Sequence, residues 1–292
     1  MSVWQDIADS IGAATGRDFR AQPPRGLGGG CVNSAFELSD GDQRWFVKTN
    51  RADLLAMFEA EAEGLGALAA STTLRAPQAL CTGRSADTAF IVMEHLQLGH
   101  GSDMAWREAG RQLAALHRCG HAAFGWHRAN TIGATPQHND WRDDWTGFWH
   151  EQRLGFQLEL AARKGYRGRL QTLGEDLLGR FAVLIDHDPQ PSLLHGDLWS
   201  GNLGFTRSAQ PVIYDPATYY GDREAELAMT ELFGGFSPDF YAAYREAWPI
   251  DPGYRVRKTL YNLYHVLNHL NLFGGGYAAQ AEHMMQSLLT EC

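Results

Sequence analysis

Along the first third of the chain, apolar positions come in short runs broken by glycines and polar turns. "RGLGGGCVNSAFELS" (25–39) predicts strand, turn, strand, and "QRWFVKTN" (43–50) a third strand. "ADLLAMFEAEAEGLGALAA" (52–70) predicts a helix with apolar positions at 54, 55, 58, 65 and 68. "TAFIVMEHL" (88–96) predicts a short apolar strand. Ahead of these, "MSVWQDIADSIGAATG" reads as an amphipathic helix with Trp4, Ile7, Ala8 and Ile11 on one face. After about residue 97 the period becomes helical. "DMAWREAGRQLAALHRCG" (103–120) ends on Gly120 as a C-cap, and helices follow near 143–163, 170–187, 223–233, 238–247, 253–273 and 277–289. The expectation is an α+β chain with a small β-rich N-terminal lobe over 1–96 and a larger, mainly helical C-terminal lobe over 97–292.

Composition narrows the class. The 292 residues are 44% apolar and 20% charged, a globular balance that suits two packed lobes. No apolar run approaches the ~18 residues of a membrane helix, and the N-terminus lacks a basic start followed by an apolar block. Cysteines at 31, 81, 119 and 292 form no C-x-x-C pair, which argues against a zinc site or disulfide framework and for a cytoplasmic location. A net charge of -9 argues against nucleic-acid binding.

The chemistry concentrates in "LLHGDLWSGN" (193–202). Asp197 and Asn202 have the spacing of the kinase catalytic loop, H-x-D-x-x-x-x-N. There the Asp accepts the proton of the attacking hydroxyl, the Asn oxygen ligates Mg2+, and a second carboxylate comes from a strand end. Asp215, closing "PVIYD", supplies it. An ordinary turn fixed by side-chain bonds to the backbone is the plain alternative, and the strand-terminal Asp weighs against it. Upstream, Gly28, Gly29 and Gly30 offer backbone amides to phosphates, and Lys48 ends an apolar strand as a nucleotide-binding Lys does. Glu59, Glu61 and Glu63 all qualify as its partner; Glu61 shares a face with Leu65 and Leu68 and is favoured. Glu94 to Leu96 falls where a hinge would meet adenine through its backbone, with His95 expected in solvent. The loop reads His-Gly-Asp, the metal Asp is followed by Pro-Ala, and there is no room for a peptide-docking segment, so a small-molecule acceptor is expected.

"LLHGDLWSGN", "PVIYDPATYYGDREAELAMTELFGGF", "YNLYHVLNHLNLFGGGY", "GGGCVNSAFEL" and "FGWHRANTIGATPQHNDWRDDW" together resemble the fructosamine kinase (ketosamine 3-kinase) family over nearly the whole chain. The resemblance implies a protein kinase-like bilobal fold of the aminoglycoside and choline kinase branch. It implies ATP-dependent, Mg2+-dependent phosphorylation of the sugar 3-hydroxyl of fructosamines or ribulosamines, on a small glycated amine or glycated lysine. The unstable product then falls off, which repairs the amine. By position, Asp197 resembles the base, Asn202 and Asp215 the magnesium ligands, and Lys48 with Glu61 the phosphate-positioning pair. Trp199 could stack on the sugar or anchor the loop, and His269 could face the substrate or sit as a helix histidine. Asp143, Asp144 and Trp145 read as a capping cluster at a helix start. Cys31 follows the glycines where family members often carry a cysteine linked to redox-sensitive dimerisation. A packing role competes with this, so monomer and redox-linked homodimer both stand.

Two other readings remain open at this level. An aminoglycoside or choline kinase would activate its hydroxyl in the same way and differ only in the acceptor pocket. A nucleotide-binding pseudokinase is disfavoured by the presence of Lys48, Asp197, Asn202 and Asp215.

Overall fold

The computed structural model describes residues 2–28 and 32–292. α1 (Val3–Thr15) begins at Ser2, whose side chain accepts from Gln5 N, and ends at Gly16 in the left-handed region at φ 68°. β1 (Arg25–Leu27), β2 (Ser34–Asp40), β3 (Gln43–Arg51), β4 (Ala79–Ser85) and β5 (Thr88–Glu94) form an antiparallel sheet in the order β1-β2-β3-β5-β4. The two-residue period of the strands sorts its faces. Leu38, Val47, Phe90 and Val92 pack with Ile7 and Ile11 of α1. Ala89, Ile91 and Met93 pack on the other side with Phe58, Leu65 and Leu68 of α2 (Leu55–Ala70). Val47 and Phe58 are both fully buried, and burying such a side chain stabilises the fold by about 1.5–3 kcal/mol. Lys48, one position after Val47, therefore falls on the α2 side of the sheet.

The rest of the chain is mainly helical. β6 (Leu98–Gly99) leads into α3 (Asp103–His117), and β7 (Asn130–Ile132) pairs with β8 (Thr135–Gln137) in a short hairpin. α4 (Trp145–Trp149) continues through a π-helical turn (His150–Gly155) into α5 (Phe156–Arg163), followed by α6 (Arg169–Arg180). β9 (Ser192–Leu194), β10 (Leu203–Thr206), β11 (Pro211–Ile213) and β12 (Tyr219–Gly221) are short and mostly buried. α7 (Arg223–Leu232), α8 (Pro238–Ala247), α9 (Tyr254–Phe273) and α10 (Tyr277–Glu291) complete the chain. α9 is buried on nearly every side over 260–268, so it forms the centre of the helical part.

Several boundaries differ from the sequence expectation. α3 stops at His117, and Gly120 serves instead as a bridge to Ser192. The single helix expected over 143–163 is three pieces, because the chain widens at Gly155. A Cβ there would lie 2.6 Å from His150 O. Asp144 caps α4 by accepting Gly147 N at 2.6 Å. β4 and the β7–β8 hairpin were not foreseen, since their stretches carry neither a clean alternation nor a long apolar run.

Two features position the site. β10 and β11 pair Leu203 with Ile213, which sets Asn202 beside Tyr214, whose N donates to Asn202 O at 3.1 Å. Arg75 ties the sheet to this hairpin: its O accepts Ile213 N at 2.9 Å, and its guanidinium meets Glu94 at 2.5 Å. Among the described residues, no helix is long and apolar enough to cross a membrane.

Candidate active site

A cleft of about 540 Å³ opens between the five-stranded sheet and the helical part. Gly28, Lys48, Glu61, Glu94 and Leu96 line it from the sheet side, and Asp197, Trp199, Asn202 and Asp215 from the other. Residues more than 160 positions apart in sequence thus share one surface. Gly29, Gly30 and Cys31 lie outside the described residues.

Lys48 is the junction. Its Nζ lies 2.6 Å from Glu61 Oε1 and 2.5 Å from Asp215 Oδ1. Burial works against the ammonium, but the two carboxylates outweigh it and raise its pKa. Glu61 is pushed upward by burial, opposed by Lys48, with the charge of Asp215 adding to the rise. The neighbouring acids of α2 do something else. Glu63 meets Arg128 and His127 at 2.7 Å each, and Glu59 lies 3.7 Å from Arg128, all on the outer face.

The 195–202 loop is held by its own side chains. His195 Nδ1 accepts Asp197 N at 3.3 Å, so Nε2–H donates to Tyr214 O at 2.9 Å. Burial lowers the pKa of this ring and keeps it neutral, as that bonding pattern requires. Asn202 Nδ2 donates to Asp197 O at 2.8 Å and to Asp197 Oδ2 at 3.3 Å. Among the described residues its Oδ1 has no hydrogen-bond partner. Burial pushes the Asp197 carboxyl up to about 7; the charge of Asp215 adds to this and the Asn202 bond opposes it. A carboxylate titrating near neutrality is suited to moving a proton. Gly196 sits at φ 86°, and a Cβ there would lie 2.1 Å from Ala217 O, so no other residue fits.

The oxygen set of Asn202 Oδ1 and the Asp215 carboxylate fits a hard divalent cation such as Mg2+. A second group, His187, Asp222 and Glu224, also has metal-like spacing. Its oxygens are already taken by Tyr261 OH, Glu224 N and Arg257, which makes it an ion-pair network.

Trp199 is 37% exposed at the cleft wall. Its ring covers Gly201 and meets Phe233 edge-on at 6.3 Å. His269 is not among the residues that line the cleft: its ring packs on Phe233 at 4.7 Å and near Phe273 and Tyr277. Its Nδ1 donates to His265 O at 2.8 Å, which leaves Nε2 as an acceptor. His95, expected in solvent, is turned against Glu37 at 3.1 Å.

Sequence reasoning missed Glu226 of α7. It is 3% exposed and accepts Gly196 N at 2.7 Å with one oxygen while the other meets His117 at 2.9 Å. It also missed Asn130, Thr131 and Gly133, which line the cleft from the β7–β8 hairpin. The "NTIGATPQ" stretch, polar yet bearing two threonines and a central glycine, was the available signal.

A small antiparallel sheet over a larger helical part, with Lys–Glu, catalytic-loop and strand-end Asp side chains meeting in the cleft between them, defines a protein kinase-like phosphotransferase. Solved structures agree on the fold. A choline kinase from Streptococcus pneumoniae superposes with a TM-score of 0.66 at 12% identity, covering 99% of both chains. An aminoglycoside phosphotransferase in ternary complex with ADP and hygromycin B gives 0.66 at 15% identity, over 99% of this chain and 98% of that one. The fructosamine kinase family model matches residues 3–291, and the chain belongs to that family of ATP-dependent phosphotransferases. It is 50% identical to a probable ketoamine kinase of Synechocystis, over 98% of this chain and 97% of that one. It is 43% identical to a chloroplastic protein-ribulosamine 3-kinase of Arabidopsis thaliana, over 90% and 81%. A crystal structure from Haemophilus somnus, provisionally assigned as a fructosamine-3-kinase, superposes with a TM-score of 0.91 at 28% identity over 98% and 97%.

Proposed function

We propose that the chain transfers the γ-phosphoryl group of ATP to the sugar 3-hydroxyl of a ketosamine, a fructosyl or ribulosyl adduct of an amine or lysine, in the cytoplasm. The observation that carries this is the meeting of Asp197, Asn202, Asp215 and the Lys48–Glu61 pair on one cleft. The family match and the named relatives support the acceptor class. In this reading residues 1–96 form the nucleotide-binding lobe and 97–292 the catalytic and substrate-binding lobe.

Each residue then has a task. Gly28 and its neighbours, Glu94 and Leu96 border the nucleotide, the last two through their backbone at the adenine. Lys48, kept charged by Glu61, contacts nucleotide phosphates. Asp197, whose backbone and Oδ2 are held by Asn202, accepts the acceptor hydroxyl proton as the oxygen attacks the γ-phosphorus. Asn202 and Asp215 would hold Mg2+, which neutralises charge on the phosphate oxygens when bound. Trp199 offers a flat face to the C–H surface of the sugar, leaving hydroxyls free at its edge. His269, packed on Phe233, supplies a hydrogen-bonding nitrogen.

A phosphate-transfer screen over fructosyl-lysine, ribulosyl-lysine, choline and an aminoglycoside tests the reading. Transfer from ATP to a ketosamine is the expected result. Preferred transfer to choline or the aminoglycoside would overturn the acceptor assignment, and no transfer to any of them would overturn the enzyme assignment.

A further inference from the structure

Arg153 lies in the π-helical turn and is fully buried. Its guanidinium sits between aromatic rings, with its carbon 4.2 Å from the centre of Tyr219 and 4.6 Å from that of Phe148. Its two terminal nitrogens donate to neutral oxygens, His138 O at 2.6 Å, Gln152 O at 3.0 Å and Asn139 Oδ1 at 2.8 Å, while its Nε has no partner among the described residues. A buried charge is costly without compensation, and here it is spread into a chain of amides.

That chain has a direction. Asn139 Nδ2 donates to Asn130 Oδ1 at 3.0 Å, and Asn130 Nδ2 donates to Thr218 O at 2.8 Å. Gln137 Nε2 donates to Asn130 Oδ1 at 2.8 Å and to Ala217 O at 3.0 Å, and Tyr264 OH donates to Gln137 Oε1 at 2.8 Å. A carbonyl can only accept, so the Thr218 end fixes the orientation of Asn130 and hence of the amides behind it. Bonds aligned this way in a dry interior polarise one another, and the charged donor at the head strengthens them.

The chain ends on residues 217 and 218, two and three positions after Asp215. Asp215 sits at φ 61°, a left-handed conformation that a non-glycine residue holds at a cost of about 1–3 kcal/mol and keeps only when its surroundings enforce it. From the other side, Ala217 N donates to His195 O at 2.8 Å, and the Ala217 carbonyl packs on Gly196. The segment after Asp215 is thereby clamped between the 195–202 loop and the amide chain.

We infer that Arg153, Asn139, Asn130 and Gln137 are positioning residues, a donor relay that holds residues 217–218 and so sets the carboxylate of Asp215. The inference rests on the reading above in which Asp215 acts at the transferring phosphate. Arg153 is too deeply packed to be the first variant made, so Asn130→Asp and Gln137→Glu carry the test. Each replaces a donor facing a backbone carbonyl with an acceptor and changes volume little.

The measurements are kcat, the KM for ATP, the magnesium dependence of ADP affinity by tryptophan fluorescence, and the melting midpoint, all on the full chain. Misplacing Asp215 should lower kcat by about 10²-fold. It should also weaken the magnesium-dependent gain in ADP affinity, while ADP binding without magnesium stays near wild type. If one variant does not fold, the other decides. Two folded variants with wild-type kcat and magnesium response would overturn the relay while leaving the functional reading intact. So would a lowered midpoint with kinetics unchanged. A wild type with no magnesium-dependent phosphate transfer would overturn both.

Discussion

Lys48 and Asp215 are 167 positions apart in sequence, and their Nζ and Oδ1 are 2.5 Å apart in space. The contact joins the centre of the five-stranded sheet to the segment just after β11, and sets the buried Lys48–Glu61 pair against a half-exposed Asp215 carboxylate. Lys48 and Glu61 depend on this pairing, because either one left unpaired would face the cost of burial.

Replacing Asp215 by Ala should therefore do more than remove one oxygen donor. Lys48 would keep Glu61 alone and be drawn toward it. Magnesium-dependent turnover should be lost if, as proposed, the carboxylate helps hold Mg2+ beside the transferring phosphate. A variant that keeps wild-type magnesium dependence would show that another carboxylate has this task.

Asp197→Asn preserves shape and the partnership with Asn202 but removes the proton acceptor. ATP affinity should survive and turnover should fall by about 10²-fold or more. Near-normal turnover in the purified variant would remove Asp197 from the base role.

Glu226 gives a prediction about stability and pH. It is buried between Gly196 N, His117 and the neutral His195 ring, and although burial raises its pKa, the bond to His117 and the other partners lower it overall. A carboxylate depressed in the folded state stabilises that state above its unfolded pKa, and the gain is lost as pH falls through the folded value. Wild type should thus lose part of its melting midpoint on acidification below about the ordinary carboxylate value of 4.5. Glu226→Gln should show a flatter profile there. Glu226→Ala, which leaves His117 Nε2 and the Gly196 amide without their acceptor, should cost about 1–3 kcal/mol for each unpaired group in denaturant unfolding. An unchanged acid profile in Glu226→Gln would mean the carboxylate is not ionised in its bonds.

How far the sequence could be read follows from how local each signal is. The short apolar runs of β2, β3 and β5, set off by glycines and polar turns, and the amphipathic helices carry their pattern in adjacent residues, so their places were legible. So was Glu61, because Leu65 and Leu68 mark its face of α2. Glu226 was not. It lies in a helix among other acids, and its value comes from contacts with Gly196 and His117, 30 and 109 positions away. The Asn130–Gln137 amides were hidden for the same reason. A polar residue that is fully bonded inside a fold looks, in sequence, like one in solvent.

The last prediction concerns the acceptor. Trp199 is partly exposed at the cleft wall, and the Phe233 ring meets both Trp199 and His269. If this row holds the sugar, Trp199→Ala removes the stacking face and His269→Ala loosens Phe233 and takes away an acceptor nitrogen. Both should raise the KM for a fructosamine and leave that for ATP nearly unchanged, with the larger effect at Trp199, which borders the cleft directly. Because the Trp199 ring already meets solvent, its removal should leave the melting midpoint close to wild type. His269 is half-buried and bonded to His265 O, so its variant should lose some stability as well. The KM ratio therefore decides the matter for Trp199, and the ratio together with the melting curve decides it for His269. A parallel rise for ATP and sugar, with a lowered midpoint, would make these two side chains packing residues and move the acceptor toward Thr131 and Gly133, which also line the cleft.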